Sequence, residues 1–100
     1  MEFIYNLRNF EATEGLREHF EKKLQGLKRA LKTFGHFEKK GDILIEKLPR
    51  GQYLARIYMH LGKHHFQSTE TGCSPVEALH RATDQIRTQA LKIKENYVSY

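Results

Sequence analysis

One hundred residues, 39% of them hydrophobic and 11% aromatic, suit one globular domain spanning 1–100 and are too apolar for a disordered chain. No run approaches the ~20 apolar residues of a membrane span; "MEFIYNLRNFE" lacks the basic start and long apolar stretch of a secretory signal; and the single cysteine, Cys73, cannot close an internal disulfide, so a cytoplasmic location is expected. Seventeen Lys and Arg against twelve Asp and Glu give a net charge of +5 and a pI near 9.4, which favours acidic partners.

Phe3, Tyr5 and Leu7 alternate with Glu2, Ile4 and Asn6, which predicts a first strand. Asn9 to Ala12 turns the chain, and Thr13 is the predicted N-cap of a helix. Leu16, Phe20, Leu24, Leu27, Leu31 and Phe34 form its apolar stripe, and Gly35 is a natural stop. The acids of this helix lie early and its bases (Lys22, Lys23, Lys28, Arg29, Lys32) late, an order that suits the helix dipole without any ligand.

"FEKKG" reads as a loop and "DILIEKL" as a short strand, closed by a turn at Pro49-Arg50-Gly51. "QYLARIYMHL" puts Tyr53, Ala55, Ile57 and Met59 on one face and Leu54, Arg56, Tyr58 and His60 on the other. Leu61-Gly62-Lys63 reverses the chain into "HHFQSTE", and Thr71 and Gly72 release it into the last helix. Ser74 as cap, Pro75 at the first helical position and Glu77 at the third predict a capping box. Val76, Leu79, Ala82, Ile86, Ala90 and Ile93 then recur at helical spacing through Lys94. The order is βαβββα. Two apolar helix stripes need one common layer, which predicts an α+β two-layer sandwich: a four-stranded sheet with both helices on one face and an antiparallel meander in its last three strands.

Signals for catalysis are poor: no nucleophile motif and no phosphate-cradling glycine loop occur. Cys73 precedes a helix start, but a lone cysteine is more often a small filler. The first helix's carboxylates (Glu14, Glu18, Glu21) lie on its solvated side. His60, His64 and His65 match no zinc spacing, and adjacent His64 and His65 must face opposite sides of a strand. No catalytic residue, metal, cofactor or small-molecule substrate is therefore expected.

The basic helix faces are the stronger signal. His80, Arg87 and Lys94 share one flank of the last helix at seven-residue spacing, and Arg81 and Lys92 lie on its outward ridge. In the first helix Lys22 and Arg29 share one line, Lys28 and Lys32 another. With both helices on one side of the sheet, these residues are expected to form one broad basic platform. Such a platform binds phosphates through counterion release, largely without reading sequence. Few aromatics lie among the bases, which argues for structured RNA over a single-strand stacking platform.

"NFEATEGLREHFEKKLQGLKR", "ARIYMHLGKHHFQSTETG" and "VEALHRATDQIRTQALKIKE" together resemble the ribosome hibernation promoting factors, also called ribosome-associated inhibitor A or sigma-54 modulation proteins. The resemblance covers about residues 3 to 95 and implies a βαβββα fold. It also implies a stress-response translation inhibitor of the short form, without a C-terminal dimerisation domain. Such a factor sits on the small ribosomal subunit, where mRNA and tRNA would bind, and is a monomer away from the ribosome. By position, the rRNA-contacting residues would be Lys22, Lys23 and Lys28 or Arg29 in the first helix, and Arg87, Lys92 and Lys94 in the second. The chain departs from the family pattern at the second helix: Val76 replaces an aromatic residue, His80 an aspartate and Thr88 an arginine. The competing expectation is a regulator of another protein, docking through the open sheet face at Leu54, Tyr58, Phe66 and their neighbours.

Overall fold

The computed structural model describes the backbone of residues 2–32, 39–61 and 64–98, and the side chains of 3–32, 41–60 and 64–92. In chain order the elements are strand β1 (Glu2–Arg8), helix α1 (Glu14–Leu31), strands β2 (Lys39–Lys47), β3 (Tyr53–Leu61) and β4 (His64–Gly72), and helix α2 (Pro75–Val98). The strands lie in the order β1-β2-β3-β4, with β1 parallel to β2 and the other neighbours antiparallel. The expected βαβββα sandwich is the observed fold.

Alternation along the strands decides which side chains meet the helices. Ile43 and Ile45 of β2, Ala55, Ile57 and Met59 of β3, and Phe66 of β4 all point to one side. There they close a core with Phe20, Leu24, Leu27 and Leu31 of α1 and Ala78, Leu79, Ala82, Ile86 and Ala90 of α2. Each fully buried Leu or Ile here contributes about 1.5–3 kcal/mol. Both helices therefore cover the same face. Ser68, buried in β4, donates its Oγ–H to the Ala82 carbonyl at 2.9 Å and ties α2 to the sheet.

The helix starts follow the predicted caps. The Leu16 amide donates to Thr13 Oγ1 at 3.2 Å, and the Glu77 amide to Ser74 Oγ at 3.1 Å. The reciprocal half of the expected capping box is replaced by an ion pair, since Glu77 Oε1 takes Arg81 Nη2 at 2.7 Å. Asn9 (φ 65°) and Arg50 and Gly51 (φ 68° and 74°) supply the left-handed residues at the β1 exit and the β2–β3 turn.

Three boundaries differ from the sequence expectation. Lys39 to Gly41, expected in a loop, belong to β2, because β1 and β3 flank β2 on both sides and extend its pairing. Gly41 is a packing residue: a Cβ there would stand 2.5 Å from Phe3 Cε1. Thr71 and Gly72 remain in β4, where a Cβ on Gly72 would meet the Ala78 amide nitrogen at 2.8 Å. Helix α2 continues past Lys94 to Val98. Phe34, Gly35 and the Gly62-Lys63 reversal lie outside the described residues, as do the side chains of Ile93 and Lys94.

Candidate nucleic-acid interface

Sheet topology sets where the basic residues meet. Strands β1, β2 and β4 run one way, and each helix follows one of them, so α1 and α2 run back in parallel. Side-chain contacts agree: Lys23 of α1 meets His80 of α2, and Gly26, one turn on, meets Arg87, two turns on. From Lys22 to its C-cap Lys32 α1 meets no acid, and neither does α2 from Gln85 to Lys94. These two acid-free stretches lie side by side, and at the end of α1 the helix C-terminus also favours Lys28 and Arg29.

The seam between the helices is built from a short polar chain. Lys23 Nζ lies 2.8 Å from His80 Nδ1, and His80 Nε2 lies 3.2 Å from Asp84 Oδ2. The ammonium has only donors, so the contact makes Nδ1 the acceptor and leaves Nε2–H to face the carboxylate. One layer further on, the Arg87 guanidinium crosses over Gly26: a Cβ at Gly26 would stand 2.6 Å from Arg87 Nη2. Only a residue without a side chain leaves the guanidinium this place. Sequence reasoning missed Gly26, a residue that resembles a mere helix weakness until its neighbour is known.

The ten expected contact residues do not form one uniform platform. Lys23, His80 and Arg87 meet at the seam. Lys22 and Arg29 share the exposed outer line of α1, while Lys92 is exposed on α2. Lys28 is turned to the opposite flank, its Nζ 5.7 Å from the Phe3 ring centroid, and Lys32 follows one turn later on that side. Arg81 is engaged by Glu77 and donates to the Thr71 carbonyl at 3.1 Å, so it clasps the start of α2 to β4. Lys94 lies in α2, and its side chain is outside those described. Burial and the nearby Glu21 raise the Tyr5 phenol above its ordinary value at the β1 edge of the same layer.

The histidines divide as alternation requires. His64 lies on the helix side, stacked near Phe66 with centroids 6.4 Å apart, whereas His60 and His65 pair on the open face with centroids 4.3 Å apart. Phe66, expected on the open face, is 1% exposed in the core, because it pairs with inward-facing Met59. A protein-docking reading of that face loses one of its three anchors. Among the described residues, no group of three or more His, Cys, Asp or Glu stands where it could hold a metal, and exposed Cys73 belongs to no such cluster. No helix among them is long and apolar enough to cross a membrane.

Two solved structures share this architecture. The N-terminal domain of Thermus thermophilus Protein Y superposes with a TM-score of 0.75 at 22% identity, over 93% of this chain and 99% of that one. A ribosomal subunit interface protein from Coxiella burnetii gives 0.77 at 16% identity, over 95% and 99%. At these identities the likeness speaks for the fold. No curated protein matches by sequence. The family model described as "Sigma 54 modulation protein / S30EA ribosomal protein" matches residues 3–97, and with nearly its whole length so matched the chain belongs to that family.

Proposed function

We propose that this protein is a non-enzymatic, cytoplasmic translation inhibitor of the hibernation type, monomeric away from the ribosome. It would bind small-subunit rRNA in the mRNA–tRNA channel. The observation that carries this reading is the side-by-side placement of two acid-free helix stretches, Lys22 to Lys32 and Gln85 to Lys94. Exposed Lys22, Arg29, Arg87 and Lys92 offer cations there without a carboxylate on the same stretch of helix, and Lys23 and Lys94 flank them in sequence. Such a surface suits closely spaced phosphates held at fixed positions by folded RNA, and Arg87 adds a planar fork for two phosphate oxygens. Family membership and the ribosomal name of the Coxiella burnetii relative support the ribosome as the RNA partner. Occupying the channel would exclude mRNA and tRNA by bulk alone, so no chemical step is needed.

Co-sedimentation with small subunits across a salt series tests the reading. Affinity falls steeply with salt, because every neutralised phosphate releases counterions. The combined variant Arg87→Glu, Lys92→Glu and Lys94→Glu loses binding and no longer inhibits translation in an extract, yet folds, since Arg87 and Lys92 are exposed and off the apolar stripe. Glu14→Gln with Glu18→Gln binds as well as the parent or better. A triple reversal that still co-sediments and inhibits shows the basic face to be only solvated.

A further inference from the structure

The open face of the sheet carries a group of rings that the basic helices do not explain. Tyr58 and His60 project from β3 and His65 from β4, away from the core. Tyr58 packs edge-on against His60 with centroids 4.9 Å apart at 84°, and His60 against His65 at 4.3 Å and 74°. The Tyr58 hydroxyl reaches His65 Nδ1 at 3.4 Å. Tyr58 stays 38% exposed and His65 is exposed, so ring surface faces solvent from a rigid strand pair. Exposed Asp42 and Gln67 flank Tyr58 in register from β2 and β4. They place a carboxylate and an amide on either side of the aromatic floor, and exposed Arg56 follows on the same face.

This composition selects among ligands. A carboxylate beside the rings disfavours a phosphate at that point but accepts from the exocyclic amino group of adenine, cytosine or guanine, and Gln67 donates or accepts. Ring faces stack on any nucleobase. Location adds a second argument. β3 ends and β4 begins at the end of the molecule to which both helices run, so the rings lie behind the acid-free helix stretches, through the thickness of the sheet. A strand following phosphates around that end arrives at Tyr58.

We infer that Tyr58, His60 and His65, flanked by Asp42 and Gln67, form a stacking site for an unpaired amino-bearing base of RNA (adenine, cytosine or guanine), on the sheet face opposite the phosphate-binding helices. The site needs only RNA with unpaired bases, so it stands or falls separately from the ribosome reading.

The test uses the full chain and two synthetic probes of equal length: oligoadenylate, and an abasic ribose-phosphate oligomer that keeps the charges and lacks the bases. Ring-proton resonances of Tyr58, His60 and His65 shift on titration with oligoadenylate and stay in place with the abasic oligomer. Tyr58→Ala weakens oligoadenylate binding about tenfold and leaves abasic binding unchanged, while Tyr58→Phe, which keeps the stacking ring, binds within about twofold of the parent. Equal affinity for the two probes, or an oligoadenylate affinity unaffected by Tyr58→Ala, overturns the inference. Ring resonances unmoved at saturating oligoadenylate do so too, and leave the open face to a protein partner.

Discussion

Replacing Gly26 with Ala separates the fold's interest at that position from the interface's. In a helix interior, Gly→Ala gains about 1 kcal/mol by restricting the unfolded chain and improving helix propensity. Against that gain stands Arg87, whose Nη2 would lie 2.6 Å and Cζ 3.9 Å from the new methyl. The contact falls on the far end of a flexible, exposed side chain, so the guanidinium swings aside for about 0.5 kcal/mol, the cost of one strained torsion. The net expectation is a stabilisation of about 0.5 kcal/mol, or a rise in Tm of about 2–4 °C. In an Arg87→Ala background nothing opposes the methyl, and the full gain of about 1 kcal/mol appears. Urea unfolding of the parent, both single variants and the double variant closes the cycle. Ribosome co-sedimentation supplies the second readout: Gly26→Ala weakens it despite the greater stability, because Arg87 is displaced from the seam. Equal gains in both backgrounds would refute the placement of Arg87 over Gly26. A loss of about 1 kcal/mol or more in Gly26→Ala would instead show a seam too tightly packed for the guanidinium to yield.

Two further perturbations bear on the fold. Ser68→Ala removes the buried hydrogen bond to the Ala82 carbonyl and lowers unfolding stability by about 1 kcal/mol; an unchanged urea midpoint would show that the bond does not hold α2 to the sheet. Tyr5 has its pKa raised above 10.0 by burial and by Glu21. The folded state therefore favours the neutral phenol, and the associated stability is present below pH 10.0 and lost as pH rises through the folded pKa. Tyr5→Phe keeps the ring and cannot ionise, so its urea midpoint falls less than the parent's between about pH 8 and about pH 11; parallel declines would refute this.

Much of the architecture is local enough to be legible in the chain. Leu16, Phe20, Leu24, Leu27 and Leu31 repeat at the helical period, and all but half-buried Leu16 reach full burial. Ala55, Ile57 and Met59 alternate at the strand period and all lie inward. Thr13 and Ser74 cap the helices they precede, because capping needs only a side-chain oxygen beside free amides. Two amphipathic helices and a sheet with one apolar face leave a single economical layering, so the order of elements and the shared helix face followed from sequence.

Relations between distant residues were decided only by tertiary structure. "FEKKG" carries the composition of a loop, yet Lys39 to Gly41 extend β2 because β1 and β3 offer hydrogen-bonding partners on either side and the Phe3 ring fills the space above Gly41. Phe66 resembled an open-face aromatic until its register opposite Met59 turned it inward, since a one-residue change of register moves a side chain through the sheet. Helical periodicity put His80 and Arg87 on one flank of α2, but not against Lys23 and Gly26; that depends on two helices running in parallel, which a parallel β1–β2 pair imposes. Periodicity is a property of neighbours along the chain and survives without the fold. Pairing partners, register and the meeting of charges across a seam are properties of surfaces, and surfaces exist only after the chain has folded.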